Sequence, residues 1–416
     1  MTAIPREVAV SIVRALRDAG HVAYLAGGCV RDELLGHPPK DYDVATDAPP
    51  ERIASLFART REVGKSFGVM QVLQKGVTVE VATFRKEHGY SDRRRPDAIT
   101  FTSAEEDAHR RDFTINALFI DPLEAENNVR GVRVQGRVID YVGGLDDMKQ
   151  GIIRAVGDPE ARLAEDNLRA LRAVRFSARL GFALDDATAR AIRKHAIDLA
   201  GVSRERIGDE TRRMLTDDRR ADAVGMIETL GLDAPVLAEP SRGPARLPVL
   251  ASLKGSTSVA TALAAWMIDR TPANLAATET VSRLRRALCL SNDESDSLRD
   301  RLAGVRRLRD EWPRLGVAGQ KRIAASGWFA DALRILAGMD PAAAGGVRSR
   351  AEHLAQTPGG VAPPPLVTGD DLIAAGIAPG KGFGEWLDAV YDAQLEGRIE
   401  TREQALSLAV RLASAK

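Results

Sequence analysis

The chain has 416 residues, with 59 Lys+Arg against 58 Asp+Glu and a net charge of +1. That balance excludes a polycation that coats nucleic acid by bulk charge, so an anionic partner must meet a local patch. The two cysteines, Cys29 and Cys289, exclude a disulfide scaffold and a cysteine-built zinc site. Only ten of the 59 basic residues are Lys, and Arg is the better phosphate fork. The first residues carry charges too early for a secretory signal, and no apolar run approaches the roughly 18 residues of a membrane span. The expectation is a soluble, cytoplasmic chain with no membrane partner.

Residues 6–20 read as an amphipathic helix: Val8, Ile12, Val13 and Leu16 recur at helical spacing, and Gly20 ends it. Residues 21–26 (HVAYLA) read as a short buried strand, followed by Gly27, Gly28 and a helical stretch to Gly36. Residues 42–45 read as a second strand, with further strand-like runs at 69–73 and 77–84. Residues 109–119 (HRRDFTINALF) place Arg110 and Arg111 ahead of a helix bearing Phe113, Leu118 and Phe119. Beyond about residue 145 strand signals nearly vanish. Helical patterns follow over 160–180, 185–200, 204–216, 220–230, 256–269, 279–289, 293–311, 319–336, 383–396 and 401–414. SRGPARLP (241–248) and PGGVAPPP (358–365) read as breaks.

Four constellations carry chemistry. In LAGGCVRDELLGHPPKDYDVAT (25–46) a strand runs into two glycines and a helix. Glycines let a backbone approach phosphate closely, and Arg31, one turn inside the helix, can fork a phosphate oxygen. Asp41 and Asp43, two apart on a strand, present both carboxylates to one side, as a pair of Mg²⁺ ions requires. A lone Asp-x-Asp or Gly-Gly is commonplace; the whole string with its spacing is not. In VTVEVATF (77–84), Glu80 points opposite to Val77, Val79 and Val81, either as a third carboxylate or as a solvated side chain. Arg111 can contact a triphosphate, and GYSDRRRPDAITF (89–101) reads as a mobile, arginine-bearing loop. In EDNLRALRAVRFSARLGF (165–182), Arg169, Arg172, Arg175 and Arg179 share one helix face, with Glu165 and Asp166 at its head. A carboxylate and a guanidinium one turn apart can read the edge of a base. Gly64-Lys65-Ser66 is not a P-loop, because the required upstream glycine position holds Arg59.

Together LAGGCVRDELLGHPPKDYDVAT, RRDFTINALF, VIDYVGGLDDMKQGIIRAVGDP, EDNLRALRAVRF and RERIGDETRRML resemble, in order, five blocks of the class II tRNA nucleotidyltransferase and bacterial poly(A) polymerase family. The resemblance spans about residues 23–215, and 366–406 is similar to the ends of family members that add CCA. It implies an α+β chain, a polymerase-β-like nucleotidyltransferase head with a mixed sheet followed by an all-helical neck, body and tail. The expected boundaries are 1–145 for the head, 146–216 for the neck, 217–357 for the body and 366–416 for a tRNA-binding tail. The implied activity is addition of C, C and A to the 3′ end of tRNA from CTP and ATP, without a nucleic-acid template, releasing pyrophosphate. Asp41 and Asp43 would hold Mg²⁺, with Glu80 as their companion. Gly27, Gly28, Arg31 and Arg111 would bind the nucleotide's phosphates. Asp166 and Arg169 would read its base, with Arg172 and Arg175 on phosphate or RNA.

Three alternatives stay open. One is a poly(A) polymerase, although EVGKSFGVMQV lacks the Arg-rich string that the resemblance associates with those enzymes. Another is a partial enzyme adding only CC or only A; the intact loop at 89–96 speaks against CC-only addition. The third is a catalytically silent RNA-binding protein, which the presence of Asp41, Asp43 and Arg111 disfavours.

Overall fold

Helical spacing of apolar residues makes the first element. In the structure, a computed structural model that describes residues 5–63, 68–89, 98–129, 131–271, 277–377, 380 and 382–414, α1 (Pro5–Asp18) buries Val8, Ala9, Ile12, Val13 and Leu16. Each fully buried Leu or Ile contributes about 1.5–3 kcal/mol over an exposed one. That face packs on β1 (Ala23–Ala26), and Gly20, at φ 87°, turns the chain back into the strand.

The chain then runs α2 (Gly28–Leu34), β2 (Asp43–Thr46), α3 (Pro50–Leu56), β3 (Thr60–Glu62), β4 (Val69–Gln74), β5 (Val77–Thr83), β6 (Arg85–His88) and β7 (Ala98–Phe101). After α4 (Ala104–His109) come β8 (Phe119–Asp121), β9 (Asn127–Val129), β10 (Val132–Val134), β11 (Arg137–Ile139) and α5 (Gly144–Gln150). A seven-stranded sheet has the order β11-β8-β1-β2-β5-β4-β3. Its pairs are antiparallel except β2 with β5, and that parallel register sets Asp43 opposite Glu80. Tyr24, Phe84 and Phe119 cluster with ring centroids 6.0–6.2 Å apart. Ala26, Ala45 and Ala117 join Phe84 and Phe119 in one buried core.

Two short strands, β12 (Ile152–Ile153) and β13 (Ala183–Leu184), pair in parallel. Otherwise the remainder is helical: α6 (Pro159–Glu165), α7 (Leu168–Leu180), α8 (Asp186–Lys194), α9 (Arg204–Leu215), α10 (Arg220–Thr229) and α11 (Asp233–Leu237). The mixed sheet followed by helices is the expected fold class.

The chain divides into two units: 1–214 with 226–244, and 215–225 with 245–416. The second contains α12 (Pro248–Ser252), α13 (Val259–Arg270), α14 (Ala277–Leu288), α15 (Asn292–Arg306), α16 (Val317–Ala324), α17 (Phe329–Met339), α18 (Pro341–Ala355), α19 (Gly369–Ala374), α20 (Phe383–Leu395) and α21 (Arg402–Ser414). Trp266, on α13, is fully buried. Buried Arg220 donates to the carbonyls of Leu215, Leu253 and Gly255. Near the C-terminus Val367, Leu372, Val390, Ala405 and Ala409 form a local core. Tyr391 Oη and Gln394 Nε2 donate to the carbonyls of Pro363 and Pro364, at 2.9 and 2.8 Å, so the proline-rich run is pinned. Among the described residues no helix is long and apolar enough to cross a membrane.

Several elements differ from expectation. Residues 113–119 are not a helix. Phe113 bridges Ala155, a 3-10 turn covers Thr114–Asn116, and Phe119 enters the sheet. Phe, Thr, Ile and Asn are weak helix formers, and strand pairing outweighs them. The helix expected over 160–180 is two helices, broken where Asp166 adopts φ −155° and ψ 101°. The one expected over 319–336 is also two, α16 and α17. α18 lies within the helical body expected over 217–357 but outside the individual periodic stretches, and Gly345 and Gly346 each cost its interior about 1 kcal/mol. Asp340, accepting from Ala343 N, and Pro341 start it nonetheless. Residues 64–67, 90–97 of the 89–101 loop, and 378–379 and 381 of the 366–406 segment lie outside the described residues.

Candidate active site

Gly27 connects β1 to α2 at φ 75°, and a Cβ there would come 3.1 Å from Arg111 Nη1. The positive φ is what favours glycine there; the Arg111 guanidinium would have only to shift slightly. Beyond it opens a cavity of about 650 Å³. Nine predicted residues line it: Gly27, Gly28, Arg31, Asp43, Arg111, Asp166, Arg169, Arg172 and Arg175. Eight arginines and four carboxylates lie on its wall, so the cavity is net cationic and suited to a polyphosphate.

Asp41 and Glu80 do not line this cavity. Asp41 is also not on the strand, contrary to the sequence reading; it occupies a bend two residues before β2. β2 begins at Asp43, which pairs with Ala26 of β1 on one side and Glu80 of β5 on the other. Both carboxylates still act on Asp43. Burial, then Glu80, then Asp41 push its carboxyl up to about 6, against a smaller pull from Arg111. Glu80 is exposed and accepts from Gln71 Nε2 at 3.3 Å.

The arginines are held from behind. Buried Arg31 donates to Asp32 at 2.9 and 2.7 Å and to Asn116 Oδ1 at 2.7 Å. Arg111 donates to Asp107 at 3.2 and 3.0 Å and to the Asn116 carbonyl at 3.0 Å. Asn116 Nδ2 donates in turn to Asp112, which accepts from Arg172 at 2.9 and 2.7 Å. Burial opposes the charge on Asp112, but Arg172 and Asn116 outweigh it and hold that carboxyl below its ordinary value. Arg175 donates to Glu210 at 2.6 Å, and burial lowers its pKa. The guanidiniums of Arg31, Arg172 and Arg175 stand 5.0, 5.3 and 4.3 Å from the ring centre of Phe176.

Asp166 and Arg169 do not share a helix. Asp166 closes α6, and its carboxylate accepts from Leu168 N at 3.1 Å, capping α7. Arg206 forks the same carboxylate at 3.2 and 2.6 Å. Arg169 donates to the Arg162 carbonyl at 2.7 Å and to Glu165 at 2.5 Å. Asn116, Asp112, Phe176, Arg206 and Glu210 were within the quoted strings yet not singled out. Nothing in their spacing signals a tertiary role.

Among the described residues no three His, Cys, Asp or Glu side chains converge as a metal cage. Mg²⁺ does not require one; it typically takes one or two carboxylates and completes its shell with water and substrate phosphate. Mutual repulsion among Asp41, Asp43 and Glu80, seen in the raised carboxyl of Asp43, is what a hard divalent cation relieves. The donor set fits Mg²⁺.

Comparison with known proteins agrees with this arrangement. Residues 23–154 match the family described as "Poly A polymerase head domain", and 181–241 match "Probable RNA and SrmB- binding site of polymerase A". A CCA-adding enzyme of Leuconostoc mesenteroides is 44% identical over 227 residues, which is 54% of this chain and 54% of that one. The chain thus spans about half the length of the first such relatives it matches. A CCA-adding enzyme of Limosilactobacillus fermentum is 34% identical over 410 residues, covering 96% of this chain and 95% of that one. The solved structure of the Bacillus stearothermophilus CCA-adding enzyme in complex with CTP superposes with a TM-score of 0.77 at 30% identity, covering 99% of each chain. The chain belongs to the CCA-adding enzyme family.

Proposed function

We propose that this protein adds C, C and A to the 3′ end of tRNA from CTP and ATP, without a nucleic-acid template. One observation carries the reading. A single cationic cavity is lined by the Gly27–Gly28 turn, Arg31 and Arg111 together with Asp43, Asp166 and Arg169. A triphosphate, a reacting phosphorus and a base edge can thus be served at once.

In this mechanism Arg31, Arg111, Arg172 and Arg175 take the nucleotide's phosphates or the RNA backbone. Their carboxylate and Asn116 partners fix their orientation beforehand, so little reorganisation accompanies the reaction. The terminal ribose hydroxyl of the RNA loses its proton to solvent, and its oxygen bonds to the α-phosphorus. The bond from that phosphorus to the β-bridging oxygen breaks, and pyrophosphate leaves. Asp41 and Asp43 would hold Mg²⁺, with Glu80 beside them, and the ion when bound neutralises charge and polarises the phosphate. Asp166 accepts from the exocyclic amino group and Arg169 donates to the ring nitrogen, a pattern that C and A share and U and G reverse. The helices beyond residue 366 contribute tRNA affinity.

The test is a set of tRNA transcripts ending before CCA, after C and after CC, each given CTP, ATP or both. The expected result is two C additions from CTP and then one A from ATP, and A only after CC. A long A tail on the first transcript would instead identify a poly(A) polymerase, and arrest after CC or A-only addition a partial enzyme.

A further inference from the structure

The second unit holds a cavity of its own, about 740 Å³, within the range of small-ligand sites. Val317, Leu354, Leu366 and Ile399 give it apolar lining. Arg350 and His353, from α18, line it too, and Arg350 Nε is fixed by Gln320 Oε1 at 2.9 Å.

Lys321, on α16, lines the same cavity and is only 3% exposed. Among the described residues no hydrogen bond or ion pair reaches its ammonium group. Burial alone acts on its pKa, and lowers it, with no charged neighbour contributing. The stem of the side chain is packed away while its ammonium group keeps access to the cavity. Its charge thus faces the open cavity with no direct ion-pair partner among the described residues.

We infer that this cavity binds a small organic anion, an apolar body carrying one carboxylate, sulfonate or phosphate, whose head is received by Lys321. The apolar lining suits the body of such a ligand and has no use for a sugar–phosphate backbone. Glu396 and Glu400, both exposed and both lining the cavity, oppose a polyanion such as RNA while leaving room for a single charge.

The experiment uses the full chain and two fluorescent probes, anilinonaphthalene sulfonate and its uncharged relative N-phenylnaphthylamine. The sulfonate should occupy one saturable site that Lys321→Met weakens by about tenfold or more and Lys321→Arg by no more than about threefold. The uncharged probe should bind wild type and Lys321→Met within about twofold of each other, since it draws only on the apolar lining. Ile399→Trp, which fills the cavity, should remove both. Equal sulfonate affinity in wild type and folded Lys321→Met overturns the assignment. So does undiminished sulfonate binding in Ile399→Trp, which decides the matter if Lys321→Met does not fold. Competitive displacement of the Lys321-dependent sulfonate by tRNA also overturns it, by making the cavity part of an RNA surface.

Discussion

Arg206 donates from both terminal nitrogens to the two carboxylate oxygens of Asp166, at 3.2 and 2.6 Å, across 40 residues of sequence. A bidentate pair of this kind sets the plane of the carboxylate as well as its position. The residue proposed to read the base is thereby aimed by one that lines no part of the cavity. Arg206→Ala should lower kcat/KM for CTP and ATP together and narrow the CTP-over-UTP ratio, while the KM for tRNA stays within about threefold. A lower Tm with the ratio untouched would make the pair structural only.

Asp166→Ala tests the reading itself. Uracil and guanine present the reverse hydrogen-bond order, leaving buried groups unpaired at about 1–3 kcal/mol each, or roughly 5- to 150-fold. Misincorporation of U or G should rise by a factor in that range as correct addition slows. Competition assays with paired nucleotides measure it directly. Slower addition at an unchanged CTP-over-UTP ratio would return Asp166 to its role as the cap of α7.

Asp43→Asn and Asp41→Ala should abolish nucleotide addition while tRNA binding, read by filter retention, survives. Asp43 also gives a pH signature. Its carboxyl is raised from 3.8 to about 6, so in metal-free buffer its ionisation costs the folded state stability as pH rises through that window. Asp43→Asn should therefore raise Tm at about pH 7.5 and leave it unchanged at about pH 3.5, where Asp43 is protonated folded or unfolded. Added Mg²⁺ should raise the Tm of wild type and not that of Asp43→Asn. Glu80→Ala with near-normal activity would make Glu80 a bystander.

Asn116→Ala removes the amide that joins Arg31 and Asp112. Hydrogen bonds to charged groups are worth about 1.5–3 kcal/mol, so kcat/KM for CTP should fall by roughly 10- to 150-fold. Affinity for tRNA, measured separately, should hold.

Deleting the chain from residue 366 should raise the KM for tRNA far more than that for CTP. The truncation also strips Arg322 of Asp388 and Asp392, so its Tm should be measured alongside. Equal loss for both substrates would indicate a folding role for the tail.

Sequence alone determined much of this protein because much of it is local. The apolar spacing of α1 and the alternation of Val77, Val79 and Val81 depend on neighbours two to four residues away, and both held. The glycines at 27 and 28 and the arginine row of α7 were legible for the same reason, and nine of the predicted site residues meet at one cavity. What the tertiary structure decided is whatever depends on a distant partner. Pairing of Phe119 with Ala26 turned an expected helix into a strand. Pairing of β2 with both neighbours starts only at Asp43, which left Asp41 on a bend. Asp166 left its helix to cap α7 and meet Arg206, and Asn116 became the joint between Arg31, Arg111 and Asp112. No local pattern encodes such choices, because a carboxylate or an amide has the same spacing rules whether it faces water or a guanidinium 40 residues away.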